Sequence, residues 1–201
     1  MVEDRLDFHN QSLPGWMWSI AMGRMHQAGL TWLELMTVLA IAAVLACLAW
    51  PELAAARERQ SLRGHALALL GGLHHARAAA LQRNRPVYLC AANLKVNREL
   101  QGCLPPQRGD SQSWPEGALV FADKGAGNGR YDSGERLRLA MFDGGRIDVS
   151  GPTRLLTLSG EGRLQAARPL VFQLRGRRQC LRLTVAADGR GRLGEIGDGC
   201  A

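Results

Sequence analysis

Apolar positions in this chain follow two regimes. From Leu30 to Trp50 they are nearly continuous: LTWLELMTVLAIAAVLACLAW carries one charge, Glu34, in 21 residues. That length suffices to cross a bilayer as a helix, which takes ~20 apolar residues. From Glu52 to Arg85 the pattern becomes periodic. Leu53, Ala56, Gln60, Leu67, Leu70, Leu73, Ala76, Ala80 and Leu81 recur at helical spacing and define the expected buried stripe. Arg57, Arg59, Arg63, Arg77 and Arg83 fall mostly off it. Pro51 stands between the two regimes. Because helical patterning continues on both sides, it is expected to kink one helix of roughly 50 residues rather than end it. Gly64, Gly71 and Gly72 weaken the second half locally.

Beyond Pro86 the texture changes again. Short apolar runs alternate with Gly and Pro: Val87–Cys90, Ala118–Phe121, Leu137–Leu139, Leu155–Leu158, Leu170–Leu174 and Cys180–Val185. Runs of that length between turn residues predict β-strands. A long helix followed by strands is an α+β arrangement. Hydrophobic content of 46% and charged content of 21% exclude a disordered chain. Net charge is +7, and arginine outnumbers lysine 23 to 2. Guanidinium forks suit phosphate, so a polyanion is a possible partner, although arginine also rises with Ala, Gly and Leu in some genomes.

The start of the apolar run carries the sharpest signal. Gly29-Leu30-Thr31-Trp32-Leu33-Glu34 places a lone carboxylate five residues after a glycine that ends a polar stretch. A carboxylate at membrane depth is costly and usually functional. This pattern resembles the class III prepilin signal G-F-T-L-x-E of type IV pilins and pseudopilins, with Leu30 in place of Phe and Trp32 in place of Leu. The resemblance implies that a prepilin peptidase cuts between Gly29 and Leu30 and that the new amino group of Leu30 is methylated. It implies also that Glu34 neutralises the N-terminal ammonium of a neighbouring subunit in a filament. An ordinary secretory signal fits less well, because the run is too long and Glu34 interrupts it. A lipoprotein signal at Cys47 fits less well too, because Leu45 precedes Ala46 there. The leader is long, and initiation at Met17 or Met22 would shorten it.

Past the anchor stand Cys90, Cys103, Cys180 and Cys200, an even number that suggests disulfides in an oxidising compartment. Three pairings are possible, of which neighbour pairing, Cys90 with Cys103 and Cys180 with Cys200, is the preferred one. Zinc is disfavoured: there is no C-x-x-C, and His65, His74 and His75 lie on the helix. The loop Asp123–Glu135 has glycines where an EF-hand has its third, fifth and twelfth ligands, so a glycine-rich hairpin loop is expected instead of calcium. No P-loop lysine, Ser/His/Asp set or carboxylate pair appears. An enzyme, a cofactor and a catalytic residue are therefore not expected.

The order of features from Gly29 onward carries a second resemblance. After the helix come Val-Tyr-Leu-Cys90, Gly-Cys103, Trp114-Pro-Glu-Gly117, Leu-Val-Phe-Ala-Asp123, Asp132-Ser-Gly-Glu135 and Val-Phe-Gln-Leu174. Cys180-Leu-Arg-Leu-Thr-Val185, Asp188-Gly-Arg-Gly-Arg192 and Cys200 complete it. The chain resembles the GspH/FimT family of minor pseudopilins, and within it the FimT group tied to DNA uptake in natural transformation. The implied fold is type IV pilin-like: α+β, a long N-terminal helix packed on antiparallel β-sheets. The implied organisation is a leader (1–29), a transmembrane and filament-core half-helix (30–51) and a head (52–201). The head has an amphipathic helix half to about residue 85 and a β-rich region over 86–201. The implied partners are prepilin peptidase, other major and minor pilins, double-stranded DNA and the inner membrane before assembly. The head would lie in the periplasm and enter a pilus or pseudopilus. The FimT group binds DNA through a C-terminal G-R-x-R motif, which stands here as Gly189-Arg190-Gly191-Arg192.

That motif has a physical reading. Asp188-Gly189 is a strong turn signal, so the arginines should project near a hairpin. Glycine should let the backbone approach a phosphate closely. Arg190 and Arg192 are two apart and share a side if extended. Arg175, Arg177 and Arg178 add charge on another turn. Aromatics are absent from this patch, so base stacking is not indicated. The alternative is a structural minor pseudopilin of pilus or type II secretion assembly, without DNA contact.

Overall fold

In a computed structural model, described over residues 31–125, 127–142 and 147–197, one helix and ten strands make up the chain. The processing residues Gly29 and Leu30, and Cys200, lie outside the described residues. The chain divides into two units, residues 1–46 and 47–201.

Helix α1 (Trp32–Arg83) has 52 residues and contains Pro51, so the proline does not end it. Thr31 caps its start: the Glu34 N–H donates to Thr31 Oγ1 at 3.2 Å and the Leu35 N–H to the Thr31 carbonyl at 3.1 Å. Thr31-x-x-Glu34 is the capping-box sequence, and Glu34 in the first turn also complements the helix dipole. At the other end Asn84 adopts φ 48° and Pro86 follows, which closes the helix. The early part of α1 exposes Trp32, Leu33, Val38, Ile41, Val44, Leu48 and Trp50. It is long and apolar enough to span a membrane.

Ten strands follow: β1 (Val87–Leu94), β2 (Leu100–Cys103), β3 (Gln112–Ser113), β4 (Gly117–Phe121), β5 (Arg136–Met141), β6 (Asp148–Gly151), β7 (Leu155–Leu158), β8 (Leu170–Arg175), β9 (Cys180–Val185) and β10 (Gly191–Leu193). They form two five-stranded antiparallel sheets. The first has the order β2-β1-β4-β5, with β7 also on β1; the second has the order β10-β9-β8-β6-β3. The architecture is the expected type IV pilin-like α+β fold, a long N-terminal helix packed on antiparallel sheets.

One core joins α1 to both sheets. Leu62, Ala66, Leu69, Leu73, Ala76 and Ala80 bury themselves with Leu89, Val120, Leu156, Phe172, Leu174 and Leu183. The buried stripe therefore differs from the expected one. Leu73, Ala76 and Ala80 belong to it, but Leu53, Leu67 and Leu81 are exposed. Leu62, His65, Ala66, Leu69, Gly72 and Ala79 take the places that complete it. Alanine on every side of this segment leaves the period poorly marked, so leucine positions alone misdirect the stripe. His65 is a core residue: its Nδ1 lies 2.8 Å from the Ser61 carbonyl and its ring 5.0 Å from that of Phe142.

A smaller core lies on the opposite face of the first sheet, where Cys90, Ala92, Leu119 and Phe121 meet Tyr88, Tyr131 and Leu139. The disulfide Cys90–Cys103 lies within it and ties β2 to β1. Cys180 is disulfide-bonded as well. The loop after β4 closes on itself. Asp123 accepts N–H bonds from Gly125, Gly127 and Gly129, and Glu135 accepts them from Lys124 and Asp132. Burial by itself would raise the Asp123 carboxyl, but these amides outweigh it and hold the carboxyl below the usual range.

Candidate nucleic-acid interface

The six residues expected to meet DNA belong to β8, β10 and the two turns that flank β9. The β9–β10 turn is built as Asp188-Gly189 predicts. The Gly189 N–H donates to the Ala186 carbonyl at 2.9 Å, the Arg190 N–H to Asp188 Oδ1 at 3.0 Å, and the Ala186 N–H to the Arg190 carbonyl at 2.9 Å. Gly189 has φ +75°, a conformation glycine tolerates and other residues resist. It is buried, and a Cβ there would lie 2.3 Å from the Gly162 carbonyl oxygen. Gly189 therefore shapes the turn, and its N–H is taken up by the Ala186 carbonyl. Gly191 also faces inward, where a Cβ would meet Leu70 Cδ1 at 2.5 Å and Leu73 Cδ2 at 3.0 Å. The motif is thus split: Gly189 packs against Gly162 and Leu158 and Gly191 against α1, while both arginines are exposed.

Arg175 ends β8, and Arg177 and Arg178 lie on the β8–β9 turn. β8 and β9 pair antiparallel from Leu170↔Val185 to Arg175↔Cys180, so the two turns stand at opposite ends of β9. They do not form one cluster at one turn. At ~3.4 Å per residue, the six-residue β9 separates them by about 20 Å. The β8–β9 turn is held from beneath by α1. The N–H groups of Arg178 and Gln179 donate to Glu58 Oε1 at 2.8 and 3.0 Å. Burial would raise the Glu58 carboxyl, yet the amides of Arg178, Gln179 and Arg177 and the Arg178 charge outweigh that and keep it lowered. Gly176 permits the contact, since a Cβ there would lie within 2.2 Å of Glu58 Oε1.

Register reveals a relation between the turns that residue spacing alone hides. Arg192 pairs with Thr184, Arg182 with Gln173 and Arg175 with Cys180. Directly paired residues share a face, as do residues two apart along a strand. Leu181, Leu183, Val185, Phe172 and Leu174 are buried toward α1. The opposite face therefore carries Arg190, Arg192, Arg182 and Arg175, with Thr184, Gln173 and Val171. All four arginines are exposed. Arg182 is the residue that motif reading missed. A polar residue amid the apolar alternation of Cys180–Val185 was its signal. Arg190 keeps a loose ion pair with Asp188 at 3.6 Å, and Arg175 Nη2 donates to Gln173 Oε1 at 2.8 Å. Among the described residues, the guanidinium groups of Arg182 and Arg192 make no hydrogen bond or ion pair. No group of three or more metal-ligating side chains occurs among the described residues.

A protein family described as "Type II transport protein GspH" matches residues 65–189. No curated protein matches the sequence. A crystal structure of the type IV minor pilin FimU from Pseudomonas aeruginosa strain PAO1 superposes with a TM-score of 0.51 at 18% identity, covering 72% of this chain and 98% of that one. A second crystal form of FimU superposes at 0.48, also at 18% identity, over 70% of this chain and 100% of that one.

Proposed function

Because the chain belongs to the GspH family, whose match takes in more than half of its length, we propose that it is a minor type IV pilin whose head binds extracellular double-stranded DNA for uptake in natural transformation. The G-R-G-R sequence ascribes it to the FimT group within that family. The observation that carries the DNA reading is the outer face of β8, β9 and β10. Its exposed arginines point away from the core, and no carboxylate on these three strands opposes them. Such a face suits phosphate contacts, which are independent of sequence and weaken with salt. Arg190 and Arg192 are the principal contacts. Arg175 joins them, and Arg177 and Arg178 add field at the far turn.

The anchor is read with the family. Prepilin peptidase removes residues 1–29 by cutting between Gly29 and Leu30, and Leu30 is methylated on its new amine. Residues 30–51 hold the protein in the inner membrane, with the head 52–201 in the periplasm, until assembly. In the filament the same segment packs against other pilins. There Glu34 meets the terminal ammonium of a neighbour, which relieves the cost of an unpaired carboxylate in apolar surroundings. Cys180 and Cys200 form the second disulfide of the head. The family is structural, and no catalytic role is assigned.

A second reading follows from the description of the matching family as a type II transport protein: a structural pseudopilin of secretion assembly that does not touch DNA. A mobility shift with the full chain in detergent and duplex DNA at low salt separates the two. The DNA reading expects a shift for the wild type and none for the Arg190→Ala/Arg192→Ala double variant. No shift by the wild type would overturn the DNA reading in favour of a structural role in pilus or secretion assembly.

A further inference from the structure

We propose that Arg182, in the middle of β9, joins Arg190, Arg192 and Arg175 in one continuous phosphate track across the outer face of the second sheet, and that Asp148 on β6 ends that track. The inference rests on the DNA-binding reading above and states where on the head the duplex lies.

The register sets three of the four arginines on one diagonal of the sheet. Arg192 occupies the row of Thr184 and Val171; Arg182 occupies the next row, with Gln173 and Ser150; Arg175 occupies the row after that, with Cys180 and Asp148. Each step moves one row along the strands and one strand across, from β10 to β9 to β8. Diagonal neighbours of this kind lie ~7–8 Å apart on an antiparallel sheet. Arg190 extends the line from the β10 end by two further residues, ~7 Å. The four positions thus span on the order of 20 Å along the backbone. A DNA strand presents a phosphate every ~3.4 Å of helix axis, so a backbone lying along this diagonal meets each arginine in turn.

Arg182 suits the role because nothing competes for it. It is exposed, and among the described residues its guanidinium makes no hydrogen bond or ion pair. Its neighbour on the β10 side is Gly194, whose N–H donates to the Arg182 carbonyl at 2.8 Å. With no side chain there, the arginine is uncovered on that flank; a Cβ on Gly194 would sit 3.7 Å from Arg182 Cβ. Arg177 and Arg178 are placed differently. Their turn wraps the Glu58 carboxylate, whose negative charge lies directly against the backbone of Arg178 and Gln179. They are therefore outside the track. Asp148 is exposed and directly paired with Arg175, so a phosphate moving past Arg175 toward β6 meets a like charge.

The salt dependence of binding tests this. Each phosphate neutralised adds about 0.9 to the slope of log affinity against log salt. The full chain in detergent is titrated with a duplex of mixed sequence between about 50 and 200 mM salt. Arg182→Gln is expected to flatten the slope by about 0.9 and to weaken binding about eightfold at 0.1 M salt. Arg182→Lys is expected to restore the slope, which a merely structural role would not produce. Arg177→Gln/Arg178→Gln should leave the slope unchanged, and Asp148→Asn should tighten binding. If the wild type binds and loses affinity on Arg190→Ala/Arg192→Ala, but Arg182→Gln keeps the full slope, the track is wrong while the DNA reading survives. If the wild type does not bind at all, both are overturned.

Discussion

Gly189 and Gly191 frame the arginine motif at the scale of single residues, and their environments predict unequal tolerance. A methyl on Gly189 would strike the backbone carbonyl of Gly162, and the residue already has φ +75°. A methyl on Gly191 would meet the flexible ends of Leu70, Leu73 and Leu183 and no backbone atom among its nearest neighbours. Gly189→Ala should therefore cost about 1–3 kcal/mol in a denaturant titration. Gly191→Ala should cost less, and Arg190→Ala, at an exposed position, should stay within about 0.5 kcal/mol. Equal stability of Gly189→Ala and the wild type would remove the steric account of the motif. Glu58 is a second informative residue. Its folded carboxyl is held lower than in the unfolded chain, so it contributes stability above the ordinary glutamate range. That contribution is lost as pH falls through the lowered value. The melting-temperature gap between wild type and Glu58→Gln should be widest near neutral pH and shrink in acid. A gap that stays constant with pH would show that the amides of Arg178 and Gln179 do not depend on the charge.

Among the elements, what could be read from the chain divides along physical lines. The helix was legible because a continuous apolar run long enough for a helix leads into an amphipathic half, and because helical patterning after Pro51 outweighs one lost hydrogen bond. Six strands were legible as apolar runs, and Leu155–Leu158 and Cys180–Val185 match their elements end to end. β2, β3, β6 and β10 were not, since LQGC, QS, DVSG and GRL are short and polar or glycine-bearing. They become strands through pairing with neighbours, a tertiary effect. Arg182 was overlooked for the same reason: which arginines share a face depends on hairpin register, not on spacing along the chain. The corrected helix stripe gives an element-level prediction. Leu69, 1% exposed, should cost about 2–5 kcal/mol on truncation to alanine, whereas Leu67, 58% exposed, should cost under about 0.5. Chemical denaturation of the two variants checks this, and the reverse order would restore the stripe expected from leucine spacing.

For the whole molecule, the head and the anchor answer to different chemistry. The exposed, mostly apolar first half of α1 suits lipid or other helices, and a basic sheet face suits a polyanion. In the proposed function processing links them, because the head would reach a filament only after the leader is removed. Intact-mass analysis of the protein from cells with prepilin peptidase should give a chain that starts at Leu30 and carries one methyl group. A chain still bearing residues 1–29 would contradict the anchor reading. The central claim is that the arginine face captures DNA for uptake, and it is tested most directly by uptake of labelled duplex DNA in cells carrying Arg190→Ala/Arg192→Ala. The account predicts filaments assembled as in the wild type with uptake reduced at least tenfold, the effect of about 1.4 kcal/mol of lost binding. Wild-type uptake by these cells, with the variant present in their filaments, would contradict it.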